Sequence, residues 1–441
     1  MSERNVDSRR GFLKTSTAAV AGSALAGGLN LGSARMAHAQ GSDQLKFGLI
    51  GCGGRGNGAI NDIMRASDSV RLVAISDAFE NRVEGTARRW RDHGDFKDRV
   101  DLPDERVFSG LDAHKQLLET DCDIVLNASP PGFRPQQYAD SIRAGKHVFM
   151  EKPCCVDAPG YKILVEANKM ADEKGLKVVV GFQRRHQRSY VETMKRIHDG
   201  ALGRLTLLRG YWNGGGIWIR RREPTMTEME YQVHNWYHFC WLSGDNICEQ
   251  HVHNLDICNW AMDAHPVEAN GMGGCIVRYE GGNRGVGQIF DCHFVEFTYP
   301  DGTKMYSQCR HIPGCWNNVS ESIEGVLGTS NANGRITGEN EWRFSGDNPN
   351  AMIQEHRELV QSIQEDREHN EGWYGATSSM TAVLGRMATY SGRIVRWDEA
   401  VEKGESEFPE NLAWDAPAPV EHDEHGDYPI PVPGRTDPYA V

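Results

Sequence analysis

One stretch near the start of the chain constrains the fold more than any other. The apolar run Leu45–Ile50 leads into Gly51-Cys52-Gly53-Gly54-Arg55-Gly56, and a helical pattern follows to about Ala66. A second apolar run, Val70–Asp77, ends in an acidic residue 21 positions after the last glycine of the loop. A strand, a glycine turn, a helix and a second strand ending in an acid form the pattern of a dinucleotide-binding unit.

The glycines of this loop occupy positions where dinucleotide binding requires them. Gly51 permits the sharp turn, Gly53 lets the backbone approach a pyrophosphate, and Gly56 allows the helix to pack closely. The start of the helix then presents unpaired N–H groups to the phosphates. Gly54 and Arg55 belong to the same loop, so we predict that all five residues contact the cofactor.

The residue that ends the second strand predicts which dinucleotide is bound. The carboxylate of Asp77 can accept hydrogen bonds from both ribose hydroxyls and repels a 2′-phosphate, which favours NAD over NADP. Arg82 follows a few residues later, and this cation keeps NADP as the open alternative. The predicted cofactor is therefore NAD.

Alternation of apolar strands and helices continues after this unit. Asp123–Pro131, His147–Pro153 and Val178–Phe182 are predicted strands with their following loops, and helical patterns separate them. This order predicts an α/β Rossmann domain, with a doubly wound parallel sheet, over residues 45–183. The loops at these strand ends add further predicted cofactor contacts: Ser129, Pro130, Glu151 and Lys152.

The pattern changes in the second half to longer alternating strands. Leu205–Tyr211 is one, and Gly287–Tyr299 meets Lys304–Cys309 across a Pro-Asp-Gly turn. These features predict an α+β domain with a large, mostly antiparallel sheet over residues 184–400. Residues 401–441 are rich in Pro, Asp and Glu, and we interpret them as an extended surface tail.

The N-terminus is predicted to lie outside this fold. Ser8-Arg9-Arg10-Gly11-Phe12-Leu13-Lys14 precedes an Ala/Gly stretch and the small-x-small pattern Ala37-His38-Ala39. Residues 1–39 therefore look like a twin-arginine export signal, with the twin-arginine machinery as partner and a periplasmic product. The alternatives are a cytosolic basic tail or a membrane anchor, but the apolar stretch is short for a bilayer. No later segment is predicted to insert into a membrane.

Composition excludes several classes of protein. Hydrophobic residues make up 39% and charged residues 25% of the chain, which is ordinary globular usage and excludes a fibrous or largely disordered protein. Acidic residues outnumber basic ones by 61 to 48, and the net charge of -13 makes nucleic acid an unfavourable partner. The 11 cysteines have no metal-site or disulfide-framework spacing, so neither a bound metal nor such a framework is expected.

Three motifs together resemble the Gfo/Idh/MocA oxidoreductase family. They are the glycine loop, the segment Gly145–Pro153 with its Glu-Lys-Pro ending, and the segment Glu249–Asp256. The resemblance extends from residue 45 to about residue 395. It implies a Rossmann domain followed by a sheet domain that supplies the substrate face and often the contact of a homo-oligomer.

The family resemblance also implies a catalytic set. In the family, the Lys of Glu-Lys-Pro lies by the nicotinamide, and an Asp and a His spaced by four complete the site. The matching positions here are Lys152, Glu249 and His253, with Glu in place of Asp. That departure keeps the charge and adds a methylene, which changes the reach of the carboxylate.

The same residues make chemical sense without the family. If residues 247–262 form one helix, then Glu249, His253 and Asp256 share a face. Oxidation of an alcohol needs a base for the hydroxyl proton, which a histidine oriented by a carboxylate can provide. The alternatives for His253 are a core histidine or a metal ligand together with His251, although residues two apart diverge on a helix.

Several residues are candidates for substrate binding. Arg185 follows the last strand of the first domain and can clamp a carboxylate or phosphate of the substrate. Arg220-Arg221-Arg222 could do the same, but we favour its interpretation as a salt-bridged surface or subunit-contact cluster. Trp236 and Tyr237 precede the predicted catalytic helix and can stack on a sugar ring. Asp256 completes the predicted substrate set.

These observations predict an exported NAD(P)-dependent oxidoreductase that acts on a hydroxyl of a sugar, cyclitol or sugar derivative. Because no pool of free NAD is expected outside the cytoplasm, the cofactor is predicted to be tightly bound and recycled in place. One alternative is an NAD-dependent glycoside hydrolase or lyase that works by transient oxidation and β-elimination, although Lys152 favours redox chemistry. A non-catalytic binding subunit is the other alternative.

Overall fold

The computed structural model describes residues 44–277, 286–406 and 408–440. The predicted twin-arginine signal at residues 1–39 lies outside the described residues. Among the helices that are described, none combines the length and the apolar character needed to cross a bilayer.

The first sheet is parallel throughout, with strand order β3-β2-β1-β4-β5-β6. Its strands are β1 (Leu45–Ile50), β2 (Val70–Asp77), β3 (Val107–Ser109), β4 (Ile124–Asn127), β5 (His147–Met150) and β6 (Val178–Val180). Strands β4 and β6 are buried along their whole length because helices cover both faces of the sheet. This order confirms the predicted doubly wound sheet.

Five α-helices lie between these strands in the described part of the chain. They are α1 (Gly54–Ala66), α2 (Glu80–Arg91), α3 (His114–Leu118), α4 (Arg134–Arg143) and α5 (Ala158–Lys174). Asp157 caps α5 by accepting a hydrogen bond from the Gly160 N–H, and Gly175 ends that helix in the left-handed conformation. The alternation of strands and helices leaves the carboxyl ends of the strands along one edge, where loops meet.

The second sheet has nine strands in the order β14-β13-β12-β11-β7-β10-β9-β8-β15. They are β7 (Leu205–Gly214), β8 (Glu268–Gly274), β9 (Cys292–Thr298), β10 (Lys304–His311), β11 (Asn318–Gly325), β12 (Gly328–Ser330), β13 (Arg335–Gly338), β14 (Trp342–Arg343) and β15 (Val395–Arg396). Only the β7–β10 pair is parallel among these neighbours. The predicted large, mostly antiparallel sheet is therefore confirmed.

The strand predicted from Gly287 begins only at Cys292, so that prediction was wrong at its start. The residues before the strand use their backbone groups elsewhere: the Gln288 N–H donates to the His238 carbonyl, and the Phe290 N–H donates to the Asp245 carboxylate. Tertiary contacts with the preceding helical segment therefore replace strand pairing there.

Helices cover one face of this second sheet. The second half of the chain contains α6 (Arg188–His198), α7 (Glu228–His234), α8 (Cys240–Ser243), α9 (Asp245–Glu249), α10 (Val252–Met262), α11 (Ala351–Gln364), α12 (Gly372–Ser391) and α13 (Trp397–Lys403). Residues of α10 and α12 share a hydrophobic core with the inward-facing residues of β9 and β10. Helix α11 instead adds Leu359 and Val360 to the core beside the first sheet.

The single helix predicted over residues 247–262 is wrong. Helix α9 ends at Glu249 and α10 begins at Val252. The N–H groups of Gln250 and His251 both donate to the Asn246 carbonyl, at 3.0 and 3.1 Å, which closes α9. Glu249 and His253 therefore come from two helices that meet at a corner.

Candidate active site

A cavity of about 350 Å³ lies at the carboxyl ends of the first-sheet strands. Its lining includes the predicted cofactor contacts Gly51, Gly53, Gly54, Arg55, Asp77, Ser129 and Pro130. Residues from the second half of the chain complete the wall: Trp218, Arg220, Val233 and Trp236. The predicted contacts Gly56, Glu151 and Lys152 are not part of this lining.

The glycine loop has the geometry that a bound diphosphate requires. Gly51 has φ +94°, and a Cβ there would lie 2.7 Å from the Ala128 backbone. A Cβ at Gly56 would lie 1.9 Å from the Gly51 carbonyl oxygen, so the turn and the helix fit only as glycines. Gly53, the residue before α1, offers no side-chain cap, which leaves the first N–H groups of α1 facing the cavity.

Asp77 is held at the ribose end of the cavity by backbone donors. The Cys52 N–H donates to its Oδ2 at 2.7 Å, and the Phe79 N–H donates to its Oδ1 at 2.9 Å. Burial raises the pKa of this carboxyl, while these hydrogen bonds and the cations of Arg82 and Arg220 oppose the rise. The carboxylate is thus positioned to receive ribose hydroxyls.

Arg220 is a cavity residue that the sequence did not reveal. It belongs to the cluster that we interpreted as surface, but the structure places it in the wall of the cavity, with its Nη1 donating to the His234 carbonyl at 2.7 Å. Burial and the neighbouring Arg82 lower its pKa to about 10. No local signal predicts this placement, because it depends on how residues 215–236 fold back over the first domain.

A buried arginine joins two loops that border the cofactor site. Arg134 donates from Nε to the Ser129 carbonyl at 2.8 Å and from Nη1 to the Pro153 carbonyl at 2.7 Å. The loop after β4 and the Glu-Lys-Pro segment after β5 are therefore fixed to each other. Sequence reasoning missed Arg134 because nothing in its local pattern separates it from other helical arginines.

Glu151 holds the Glu-Lys-Pro segment in place through contacts with Arg55 and with the loop after β6. Its Oε1 lies 2.8 Å from Arg55 Nε, and Arg55 also pairs with Asp62 at 2.7 Å. A Cβ at Gly181 would lie 2.8 Å from Glu151 Oε2, so the carboxylate is packed tightly against β6 and its following loop. Glu151 supports the site, and Arg55 links it to the cofactor cavity.

The structure brings Lys152 and Glu249 into contact. Lys152 Nζ donates to the Glu249 carbonyl at 2.6 Å and lies 3.3 Å from Glu249 Oε1. Burial raises the pKa of the Glu249 carboxyl, whereas Lys152 and Arg134 oppose the rise. The corner between α9 and α10 makes this contact possible because it turns the end of α9 toward β5.

His253 lies in an aromatic enclosure near this pair. Its ring stacks on Trp212 at a centroid distance of 5.8 Å and an interplanar angle of 19°, and it meets the edge of Phe182 at 5.8 Å. Burial and the cations of Lys152 and Arg184 hold its pKa well below the ordinary value. The imidazole is therefore neutral, and its contacts are aromatic rather than the predicted contact with the Glu249 carboxylate.

The predicted substrate residues Arg185 and Asp256 bind each other. Arg185 Nε lies 2.9 Å from Asp256 Oδ2, its Nη2 lies 2.8 Å from Oδ1, and its guanidinium covers the Tyr374 ring at 3.7 Å. Ser378 Oγ donates to Asp256 Oδ1 at 2.8 Å. This buried pair fixes the loop after β6 to α10, so both charges are occupied.

The other two predicted substrate residues are placed differently. Trp236 lines the cofactor cavity. Tyr237 is buried, with its ring 5.8 Å from the ring of His311, and His311 Nε2 lies 2.8 Å from Gln250 Oε1. Gln250 lies at the corner between α9 and α10. Sequence reasoning missed Trp212, Gln250 and His311.

One group of side chains in the described part of the chain is close enough to share an ion. His186 Nδ1 lies 2.9 Å from Glu358 Oε2, and its Nε2 lies 3.3 Å from Glu371 Oε1. These carboxylates raise the pKa of His186 well above its ordinary value against the effect of burial. An imidazolium between two glutamates satisfies the group without a metal.

Comparison with known proteins identifies the first domain. Residues 45–182 match a family model described as "Oxidoreductase family, NAD-binding Rossmann fold", the Gfo/Idh/MocA family. The first domain is therefore similar to the NAD-binding Rossmann domains of this family. The predicted cofactor, NAD, is thereby confirmed.

Curated relatives are inositol dehydrogenases at low identity. Myo-inositol 2-dehydrogenase from Thermotoga maritima is 24% identical over 55% of this chain and 62% of its own length. Inositol 2-dehydrogenase 2 from Saccharopolyspora erythraea is 30% identical over 51% of this chain and 56% of its own length. The matches thus span a little over half of the relatives' length.

Solved structures share both domains of the fold. The aldose-aldose oxidoreductase from Caulobacter crescentus, complexed with glycerol, aligns with a TM-score of 0.60 at 17% identity, over 80% of this chain and 99% of that one. The scyllo-inositol dehydrogenase from Lactobacillus casei, with bound NAD(H) and scyllo-inositol, gives 0.59 at 19% identity, over 80% and 99%. At such identities the likeness shows the fold.

Proposed function

We propose that this protein is an NAD-dependent oxidoreductase that oxidises a secondary hydroxyl of a sugar, cyclitol or sugar derivative. The observation that carries the proposal is the contact of Lys152 Nζ with Glu249 at the end of β5, beside the cofactor cavity and electrostatically coupled to His253. The names of the relatives, which are dehydrogenases of polyols, support the substrate class.

The chemistry divides between the cofactor and the chain. When bound, NAD would supply the acceptor for the hydride that leaves the carbon carrying the hydroxyl. Neutral His253 takes the hydroxyl proton on a ring nitrogen, and the Lys152 ammonium stabilises the negative charge that develops on the same oxygen. Glu249 holds the ammonium through its carbonyl and its carboxylate, so Lys152 enters the reaction already oriented.

Export and tight cofactor binding belong to the same proposal. The twin-arginine motif supports release into the periplasm, where a bound cofactor has no expected pool with which to exchange. We therefore propose that the hydride is returned to a second carbonyl within the same site. We also propose a homo-oligomer, on the strength of the sheet-rich second domain.

The first test uses the purified full-length protein and a panel of inositols, aldoses and glycosides. We expect dinucleotide to be extracted from the denatured protein, and we expect members of the panel to change the absorbance of reduced nicotinamide in the native protein. A protein that neither contains nor binds NAD would contradict the proposal. Release of nitrophenol from nitrophenyl glycosides would instead support hydrolysis through transient oxidation.

A second prediction concerns how kcat/KM falls as the pH is lowered. Because burial, Lys152 and Arg184 hold His253 neutral, kcat/KM is expected to keep its neutral-pH value to below about pH 6, where an ordinary histidine is half protonated or more. The loss of activity that protonation of His253 causes comes when the pH falls through its lowered pKa. A half-maximal point close to the ordinary histidine pKa would contradict this assignment.

Substitution of Asp77 tests cofactor choice. Asp77→Asn keeps the size of the side chain and removes the charge that repels a 2′-phosphate, while Arg82 and Arg220 remain. We expect the ratio of NADP to NAD affinity to rise about tenfold or more, in line with the loss of one charge interaction. Titration of the protein with each reduced dinucleotide measures it, and an unchanged ratio would show that Asp77 does not face the ribose.

A further inference from the structure

An apolar cluster borders the outer side of the cofactor cavity and is built from three separated parts of the chain. Phe133 and Phe79 come from the first domain, and residues of α7 and α8 come from the second half. The third part is the C-terminal segment, residues 408–428, which we name the clasp. Its contributions to the cluster are Phe408, Leu412, Trp414, Ala418, Val420 and Tyr428.

Two aromatic residues of the clasp pack on two phenylalanines that line the cavity. The Trp414 ring lies 5.3 Å from the Phe79 ring, and the Phe408 ring meets the Phe133 ring edge-on at 5.5 Å. Phe79 follows β2 and Phe133 follows β4, so these two lining residues stand on opposite sides of β1 in the sheet. The clasp therefore supports the cavity wall at two separate points.

The clasp also holds α7 in place. Thr227 Oγ1 at the start of α7 donates to the Trp414 carbonyl at 2.7 Å, and Gln232 on α7 donates to the Val420 carbonyl. The Tyr428 ring lies 5.0 Å from the Phe239 ring just beyond this helix. Helix α7 and the turn after it supply Val233 and Trp236 to the cavity wall, so the clasp backs that wall as well.

We propose that the clasp controls the release of the dinucleotide, with Trp414 and Phe408 as positioning residues. The first-domain wall and the α7 wall line the cavity on two sides. The clasp packs against Phe79, Phe133 and α7, so it restrains outward movement of both walls and thereby slows release of a bound dinucleotide. The proposal rests on the proposed function only in that the cavity binds NAD.

A second contact of the C-terminal residues provides a matched control. Tyr439 Oη donates to Glu399 Oε2 on α13 at 2.6 Å, and Lys403 lies over its ring at 5.3 Å. Tyr439 is neither in the cluster around the cavity nor in the cavity lining. Tyr439→Ala therefore removes an aromatic anchor from the same C-terminal region without touching the cofactor wall.

The experiment measures dissociation of NADH directly. The full-length protein is loaded with NADH, mixed with excess NAD, and followed by the fluorescence of the bound reduced nicotinamide. We expect Trp414→Ala and Phe408→Ala to raise the dissociation rate about tenfold or more, since such contacts act mainly on off-rates. Trp414→Phe is expected to restore most of the wild-type rate, and Tyr439→Ala is expected to leave it unchanged.

The same measurements separate the two proposals. If the wild-type protein binds NADH and the clasp variants release it at the wild-type rate, or if Tyr439→Ala accelerates release equally, the clasp proposal is overturned while the redox function stands. If the wild-type protein does not bind NADH at all, the proposed function fails first. Should Trp414→Ala not fold, Trp414→Leu and Phe408→Leu, which keep apolar volume, are compared with Trp414→Phe.

A readout besides dissociation distinguishes positioning from general destabilisation. The single-turnover rate of hydride transfer in protein that still holds its cofactor is expected to be the same in Phe408→Ala and wild type. A loss of stability alone would lower the melting temperature of the cofactor-free protein without a selective change in release. A fall in the single-turnover rate together with unchanged release would also overturn the proposal.

Discussion

His253→Ala is expected to lower kcat by about a thousandfold, within the range that removal of a general base produces. The ring lies beside Trp212 and Phe182 and is kept neutral by its surroundings. Because His253 is not part of the cofactor cavity lining, NADH binding is expected to stay close to the wild-type value. Single-turnover kinetics with the most active sugar of the panel, together with NADH titration, measure both quantities.

Lys152 provides the companion test of the same site. Lys152→Met removes the ammonium but keeps the length of the side chain, and it is expected to lower kcat to a similar extent. Lys152→Arg keeps the charge and restores part of the rate only if electrostatic stabilisation dominates over geometry. Full kcat in both His253→Ala and Lys152→Met would exclude these two residues from the chemistry.

Gly56→Ala has the other large expected effect, on cofactor binding. Its Cβ would lie 1.9 Å from the Gly51 carbonyl oxygen, so the first turn of α1 must move away from the glycine loop. The N–H groups that face the phosphates move with it, and dinucleotide affinity is expected to fall about a hundredfold or more. NADH titration by fluorescence measures the loss.

The control for this substitution uses another helical glycine. At Gly85 on α2 an added Cβ meets no atom within 4 Å, so Gly85→Ala keeps the binding affinity and stabilises its helix by about 0.5–1 kcal/mol. Thermal unfolding of both variants separates lost binding from lost folding. Wild-type NADH affinity in a folded Gly56→Ala protein would show that the loop does not hold the diphosphate.

The first domain could be predicted because its decisive features are local. Gly51 and Gly56 indicate a tight turn that only glycine permits, and Asp77 ends a strand that is mostly apolar and buried. The order of the sheet then follows from the alternation of strands and helices. The position of Lys152 just after β5 could be predicted for the same reason, because β5 is a short apolar strand that is recognisable in the local sequence.

The corner between α9 and α10 could not be predicted in the same way. Residues 247–262 have a helical composition throughout, but the Asn246 carbonyl takes two N–H groups and the buried His251 bonds to Ser307 Oγ at 2.7 Å. The second of these contacts depends on β10 of the second sheet, which is distant in sequence. The result is that Glu249 contacts Lys152 instead of His253, which no periodicity would have revealed.

Placement of Arg220 and of the clasp also depends on distant parts of the chain. Residues 408–428 contain no described helix or strand, and their apolar residues are too widely spaced for a periodic signal. Their burial comes from α7 and from loops of the first domain. A composition rich in Pro and acidic residues is compatible with a surface tail, and only the fold shows which surface it covers.

Because the clasp lies near the C-terminal end of the sequence, it is synthesised after the residues that line the cofactor cavity. Every residue that lines the cavity precedes residue 408, so the ribosome delivers the whole cavity wall before it delivers the clasp. If the clasp retains the cofactor as proposed, a newly made chain passes through a stage in which the cavity is formed and still open. Insertion of NAD then becomes a step of biogenesis, completed in the compartment of synthesis, and the finished protein carries its cofactor as a built-in part.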